Sequence, residues 1–425
     1  MKFFRWQRWT RWIPSLDPQV WILAAGRLLS QMGTGFTLYF LQIFFVNKVG
    51  LTATSVGFAI GSASISGIVG RVLSGSMTDS RWWGRRRTLL LSLFISAIAA
   101  GIIAIAQSLG MLVLGNIIMG FGVGLYWPAT EAIIADLSEG VQRQEAFTIT
   151  RFADNAGLGL GVILGGSWIA LTQAYRTLFM IDAISFVIFL GVVYFTITET
   201  SHPQTRGNYG WQGWVVALQD RRLRTYIIAN ILITTYLSQI HSTLPLYFKN
   251  FAQQGMGLSE IVITGLFSWH LGASVASQLP VARFLRRWPY PQGLMASAGF
   301  WGIGFLYIGI TGFVGQGVLI WASLGLGILA IATVAYMPIA SSLVADLAPI
   351  ESRGVYLSIN SLCWAVGYFI GPALGGLALD QNQPFIDIYW GLLTLSIGLV
   401  IIVLKRLSHL IKTSPTAALT SSNAP

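Results

Sequence analysis

Cysteine is nearly absent from this chain: the single one, Cys363, stands inside an apolar run. An internal disulfide and a cysteine-built metal site are thereby excluded, and Cys363 reads as a packing residue. Charge is scarce as well. Only 10% of the residues are Asp, Glu, Lys or Arg and 54% are hydrophobic, whereas a soluble domain carries about 25% charged residues. So few charges cannot cover a water-exposed surface, and a bilayer removes the need. Acids are the scarcer sign, 15 against 26 bases, and the net charge of +11 reads as basic loops on one side of a membrane, with no nucleic acid as partner. No Gly-x-x-x-x-Gly-Lys-Ser/Thr loop is present to cradle ATP, no Cys/His cluster to hold a metal, and no nucleophile triad can be made out. The expectation is a protein that is not an enzyme and uses no cofactor and no metal. An apolar core for a cleavable signal peptide is also missing, since the chain opens MKFFRWQRWTRWIPSL. Arg5, Arg8 and Arg11 interleave there with Trp6, Trp9 and Trp12. An interfacial segment lying on the headgroups and a disordered basic tail are both open readings.

What is present is a series of apolar runs, each about twenty residues and long enough to cross a hydrocarbon layer about 30 Å thick as a helix. They fall near 19–46, 54–76, 88–107, 110–135, 146–171, 178–198, 225–248, 258–280, 292–312, 316–344, 355–379 and 388–404. The one long polar interruption, 199–224, reads as a linker with a short interfacial helix around Trp211–Leu218. The expected organisation is a basic N-terminal segment 1–17, a six-helix bundle 18–198, the linker 199–224, a second six-helix bundle 225–405, and a Ser/Thr/Ala/Pro-rich tail 406–425. Loops on the side of the termini and linker hold twenty Lys and Arg; the opposite side holds Lys48, Arg176 and Lys249. That bias places both termini in the cytoplasm.

The chain contains its own copy. Tyr126–Gly166 and Tyr336–Gly376 align without a gap at a shift of 210, with twelve identities. Among them are Tyr126/Tyr336, Pro128/Pro338, Asp136/Asp346, Arg143/Arg353, Gly157/Gly367, Gly161/Gly371, Gly165/Gly375 and Gly166/Gly376. Leu29-Ser30-Gln31 and Leu38-Tyr39-Phe40 recur as Leu237-Ser238-Gln239 and Leu246-Tyr247-Phe248 at a shift of 208. Two halves of one descent follow.

Two parallel six-helix repeats joined by a cytoplasmic linker resemble the major facilitator superfamily of secondary transporters. Gly75, Asp79, Gly84, Arg85 and Arg86 match that family's loop Gly-x-x-x-Asp-Arg/Lys-x-Gly-Arg/Lys-Arg/Lys, with two extra residues after Asp79. The second-half counterpart keeps Arg283, Arg286 and Arg287 and lacks the acid. The resemblance covers about 18–405 and implies an all-α membrane protein with twelve transmembrane helices in two six-helix, pseudo-symmetric bundles. It also implies a cytoplasmic gate at Gly75, Asp79, Gly84, Arg85, Arg86, Asp136, Arg143, Asp346 and Arg353. There Asp79 caps a helix of the other half while Arg85 and Arg86 pair with Asp136 or Glu131. A role for the arginines as topology determinant alone is the other reading. Gly157-x-x-x-Gly161-Val162-x-x-Gly165-Gly166 is similar to the antiporter motif Gly-x-x-x-Gly-Pro-x-x-Gly-Gly of the same superfamily, with Val162 in place of Pro. The copy Gly367, Gly371, Pro372, Gly375, Gly376 fits fully, but in the eleventh helix. Small-residue helix packing accounts for most of that pattern. In the fourth helix Asn116 stands where many proton-coupled relatives carry Arg.

An ionisable group inside a bilayer span is a functional hypothesis by default. Arg27, Gln31 and Thr34 share one face of the first helix, and Thr235, Gln239 and Ser242 are their counterparts in the second half. Together with Tyr39, Tyr126, Tyr247 and Tyr336 they are expected to line a substrate cavity. Trp127 and Trp364 are further aromatic candidates. Glu131, Arg151 and Asp154 are the proton-coupling candidates, with Arg151 and Asp154 one turn apart and able to bridge. A static salt bridge is the alternative. Asp182 is read as interfacial, and His270, alone in an apolar helix, as a hydrogen-bonded packing residue. The expected function is proton-coupled export of a small organic solute, as in a multidrug antiporter, by a monomer in the plasma (inner) membrane. Uptake by symport, facilitated diffusion, and a non-transporting sensor or assembly factor remain open.

Overall fold

A computed structural model of the chain describes residues 16–78, 80, 83–138, 140–200, 211–285, 288–349 and 353–413. The basic opening segment up to residue 15, Asp79, Arg286, Arg287, and the tail after 413 lie outside the described residues, as do the side chains of Arg143 and Arg353. The described residues form helices and short connections, with no strand among them. In the first half these are α1 (Pro18–Asn47), α2 (Ala53–Thr78), α3 (Gly84–Ile105), α4 (Leu109–Asp136), α5 (Gly140–Thr172) and α6 (Tyr175–Thr196). The linker carries α7 (Trp211–Gln219), where the sequence suggests a short helix. The second half contains α8 (Arg221–His241), α9 (Thr243–Asn250), α10 (Glu260–Leu285), α11 (Tyr290–Phe313), α12 (Val318–Leu347), α13 (Arg353–Leu379) and α14 (Gln383–Lys412).

Ten of these helices are long and apolar enough to cross a membrane. The α8–α9 pair and α10 occupy the two remaining expected spans. The seventh span is broken where the first is continuous, and Pro245 is the reason. A proline has no N–H to donate and its ring crowds the carbonyl four residues back, here His241, where α8 ends. Counted through the break, 221–250 has the thirty residues of α1.

Several contacts recur between the two repeats. In the first half α3 packs on α4 and α6; in the second, α11 packs on α12 and α14. Gly157 and Gly161 bring α5 against the α1 backbone at Leu28 and Met32, and Gly367 and Gly371 bring α13 against Thr234 and Ser238 of α8. The compact units nevertheless do not follow the halves of the sequence. One comprises Met1–Leu38 and Ile65–Thr205, the other Tyr39–Ser64 and Arg206–Pro425. Within the second unit, Gly57 of α2 lies on the Pro372 carbonyl of α13 and Gly376 on that of Ala53. The Asp380 carboxylate accepts from the first amides of α2, Ala53 at 2.9 Å and Thr54 at 2.8 Å. An acid at a helix N-terminus satisfies donors that have no partner in the helix itself.

The start of α8 is fixed in the same way. Asp220 accepts from the Arg222 amide at 2.8 Å and from the Tyr356 hydroxyl at 3.0 Å. Partial burial works to raise its carboxyl, but the hydrogen bonds and charge of Arg222 and the Tyr356 hydroxyl outweigh this and hold it below the usual carboxylate range. A depressed folded-state value means the unfolded chain binds more protons. Its stabilisation is therefore complete above the ordinary Asp value of about 3.9 and is lost as pH falls through the depressed one. Asp220→Ala is expected to cost about 1 kcal/mol at neutral pH and to flatten the acid limb of a plot of thermal midpoint against pH.

Candidate functional site

The first unit holds a chain of charges around one indole. Arg27 of α1 is 1% exposed and reaches Asp154 of α5 with both ends of its fork: Nε donates to Oδ1 at 2.9 Å, and Nη2 pairs with Oδ2. Its guanidinium carbon lies 5.0 Å from the Trp127 ring centre, and that of Arg151 lies 5.7 Å from the same ring. Arg151 in turn donates to Glu131 at 2.9 Å. The expected Arg151–Asp154 bridge is not formed. Asp154 faces α1, where Arg27 offers a planar two-point match, and the more exposed Arg151 turns to Glu131 on α4. The inner pair is buried and the outer pair is 59% and 42% exposed. The glycines of α5 make the inner pair possible. A Cβ on Gly157 would lie 3.1 Å from the Gln31 Cβ, and one on Gly161 would lie 3.0 Å from the Gly35 Cα. Without these close approaches α1 and α5 stand too far apart for a bidentate contact.

Several of the residues expected to line a cavity also make close helix-to-helix contacts. Gln239 is fully buried, donating to the Gly371 carbonyl at 2.9 Å and accepting from Tyr389 at 3.0 Å. Ser242, at the α8–α9 break, donates to the Ser238 carbonyl at 2.8 Å. Tyr39 packs edge-on against His241 and Phe267, and Tyr247 against Trp390. Tyr336 donates to Asn230 at 2.5 Å, within a buried network that includes Tyr226 and Asn360. Large side chains at helix contacts are consumed there, because an unsatisfied polar atom between packed helices is costly. Gln31 and Thr34 are half-buried, Thr34 donating to the Ser30 carbonyl at 3.1 Å. Tyr126 is 8% exposed, and its hydroxyl finds no hydrogen-bond partner among the described residues. His270 is a packing residue, its Nδ1 2.9 Å from the Leu326 carbonyl.

The expected gate is described in part. Arg85 pairs with Asp136 and donates to the Ala132 carbonyl at 3.2 Å. Arg86 donates to the Tyr194 carbonyl at 2.6 Å. The sequence reading missed Glu199, whose carboxylate caps α3 by accepting from the Arg85 amide at 2.8 Å and the Arg86 amide at 3.2 Å. Gly84 permits it, with φ +79° and a Cβ position only 2.5 Å from that carboxylate. Gly75 meets nothing within 4 Å, and Asp346 is exposed. Gly165, Gly166 and Gly375 are buried, Gly375 against Thr243, and Pro372 lies inside α13. The contacts of Asp182 were not anticipated either. It is 1% exposed on α6 and accepts from Thr37 at 2.6 Å. Its single partner lies far away in sequence, and no local pattern signals it.

The family model of the Major Facilitator Superfamily matches residues 23–327 and 249–422. The chain belongs to this superfamily. Like other members of the superfamily, it is an integral, multi-pass membrane protein that carries small solutes. It is 24% identical over 375 residues to the uncharacterized MFS-type transporter YqjV of Bacillus subtilis, covering 86% of this chain and 87% of that one. It is 24% identical over 372 residues to the multidrug resistance protein MdtH of Photorhabdus laumondii, covering 85% and 87%. Among solved structures, the nucleoside transporter NupG superposes with a TM-score of 0.77 at 15% identity, covering 91% of this chain and 99% of that one. An auto-inhibited peptide transporter of the POT family gives 0.76 at 12% identity, covering 94% and 97%. These two likenesses show the superfamily fold alone.

Proposed function

We propose that this superfamily member exports a small organic solute across the plasma (inner) membrane in exchange for protons, working as a monomer within the bilayer. The buried Arg27–Asp154 pair carries the reading. A static link between two helices needs no charge, since well-packed apolar residues do as well or better. A carboxylate held by arginine, by contrast, has two states. When Asp154 takes a proton on a carboxylate oxygen, Arg27 keeps its own protons and loses its counter-charge, and the bidentate bond between α1 and α5 weakens. Release of the proton restores it. In this reading the more exposed Glu131–Arg151 pair, joined to the inner one across Trp127, passes protons between water and Asp154; its exposure and the shared indole support that role. Export is favoured over uptake by relatives named as multidrug resistance proteins.

The test uses purified protein in liposomes with an acid interior and a pH-sensitive dye. A panel of organic acids, bases and zwitterions is added outside. The expected outcome is that at least one solute accelerates proton loss from the lumen. Solute flux with no proton movement would contradict the antiport reading.

A further inference from the structure

The charges of the first unit do not balance. Arg71 of α2 is half-buried, and it makes no hydrogen bond and no ion pair among the described residues. Its backbone is held close to α4: a Cβ on Gly124 would lie 3.0 Å from the Arg71 amide nitrogen, and one on Gly67 would lie 3.2 Å from the Gly120 carbonyl. That packing sets α2 against the face of α4 that carries Glu131, two turns on from Gly124. Glu131, however, is already engaged by Arg151, and Asp154 by Arg27. Three guanidinium groups thus share two carboxylates. A second sign of unmet demand is Arg27 Nη1, a buried donor with no acceptor among the described residues. The nearest remaining intramembrane acid, Asp182, is held at Thr37, ten residues along α1 from Arg27 and so about 15 Å away by helix rise.

A guanidinium cannot discharge by losing a proton, and one without a counter-charge in a bilayer span is costly. Resting on the transport reading above, we propose that Arg71 takes the acidic group of the solute, and that the solutes are organic oxyanions instead of lipophilic cations. The planar fork of Arg suits a carboxylate, sulfonate or phosphonate in two-point contact. A cation would meet a net positive cluster and be repelled. Direction agrees with charge, because an anion leaving and a proton entering both run down an inside-negative potential.

The test is binding to the full chain in detergent, with no gradient, using four probes on one scaffold: naphthoate, naphthalenesulfonate, naphthylmethylamine and naphthylmethanol. Equilibrium dialysis gives affinities, and the shift in thermal midpoint reports binding independently. The two anions are expected to bind and stabilise while the amine does not. Arg71→Gln should weaken anion binding about tenfold or more, with the ligand-free thermal midpoint kept as the folding control. Arg71→Lys should retain part of the affinity, as a point charge without the fork. Equal binding of the amine, no binding of either anion, or wild-type affinity in Arg71→Gln would each overturn the proposal. Binding of anions without gradient-driven flux would contradict the transport reading and leave this one standing.

Discussion

Asp154→Leu alone is expected to destabilise the protein by about 3–5 kcal/mol, because it leaves Arg27 charged and unpaired between packed helices. Arg27→Met should cost less, since a carboxyl that loses its partner can take up a proton whereas a guanidinium cannot lose one. The double variant Arg27→Met/Asp154→Leu should recover most of the loss, since an apolar pair of similar volume removes both buried charges. Thermal unfolding of the three purified variants gives the order. If the double variant is as unstable as Asp154→Leu, the pair is not an isolated charge couple and its neighbours carry the cost. The same double variant should fold and yet fail to couple solute to protons, which separates the stability role of the pair from its chemistry.

Gly161→Leu is the second large effect. Its Cβ would run into the Met32 carbonyl and lie 3.0 Å from the Gly35 Cα, and backbone cannot yield as a side chain does. Overpacking of this kind costs about 1–3 kcal/mol or more. It should also separate α1 from α5 two turns beyond Asp154 and open the Arg27 contact. Gly101→Leu on α3, where nothing lies within 4 Å, should stay within about 0.5 kcal/mol of wild type. Thermal midpoints of the two variants make the comparison. Equal effects would mean that the α1–α5 approach is not the tight point of the unit.

What the sequence made legible was whatever repeats or has a period. Apolar runs of span length, the 210-residue shift, and Gly157, Gly161, Gly367 and Gly371 at helical spacing all correspond to helices and close helix contacts. The break between α8 and α9 was also in the sequence, in Pro245, but a continuous apolar run concealed it. Partner choice was not legible. Arg151 sits one turn from Asp154, yet Asp154 pairs with Arg27, 127 positions away. The approach of α1 to α5 decides that pairing, and no local rule contains it. Glu199 and the Thr37 partner of Asp182 were missed for the same reason, since both contacts are long-range. Facing was illegible as well. Gln239 and Tyr336 share a polar pattern with their neighbours on a helical wheel, which does not disclose their bonds to Gly371 and Asn230.

The measurement that bears most directly on the central claim compares two modes of flux in liposomes for Asp154→Asn and wild type. Solute–solute counterflow needs the carrier to turn over but not to exchange protons, whereas uphill movement driven by a pH gradient needs both. Coupling through the Arg27–Asp154 pair predicts that Asp154→Asn keeps counterflow and loses gradient-driven accumulation. Accumulation at the wild-type level in Asp154→Asn would contradict it and remove Asp154 from the proton path.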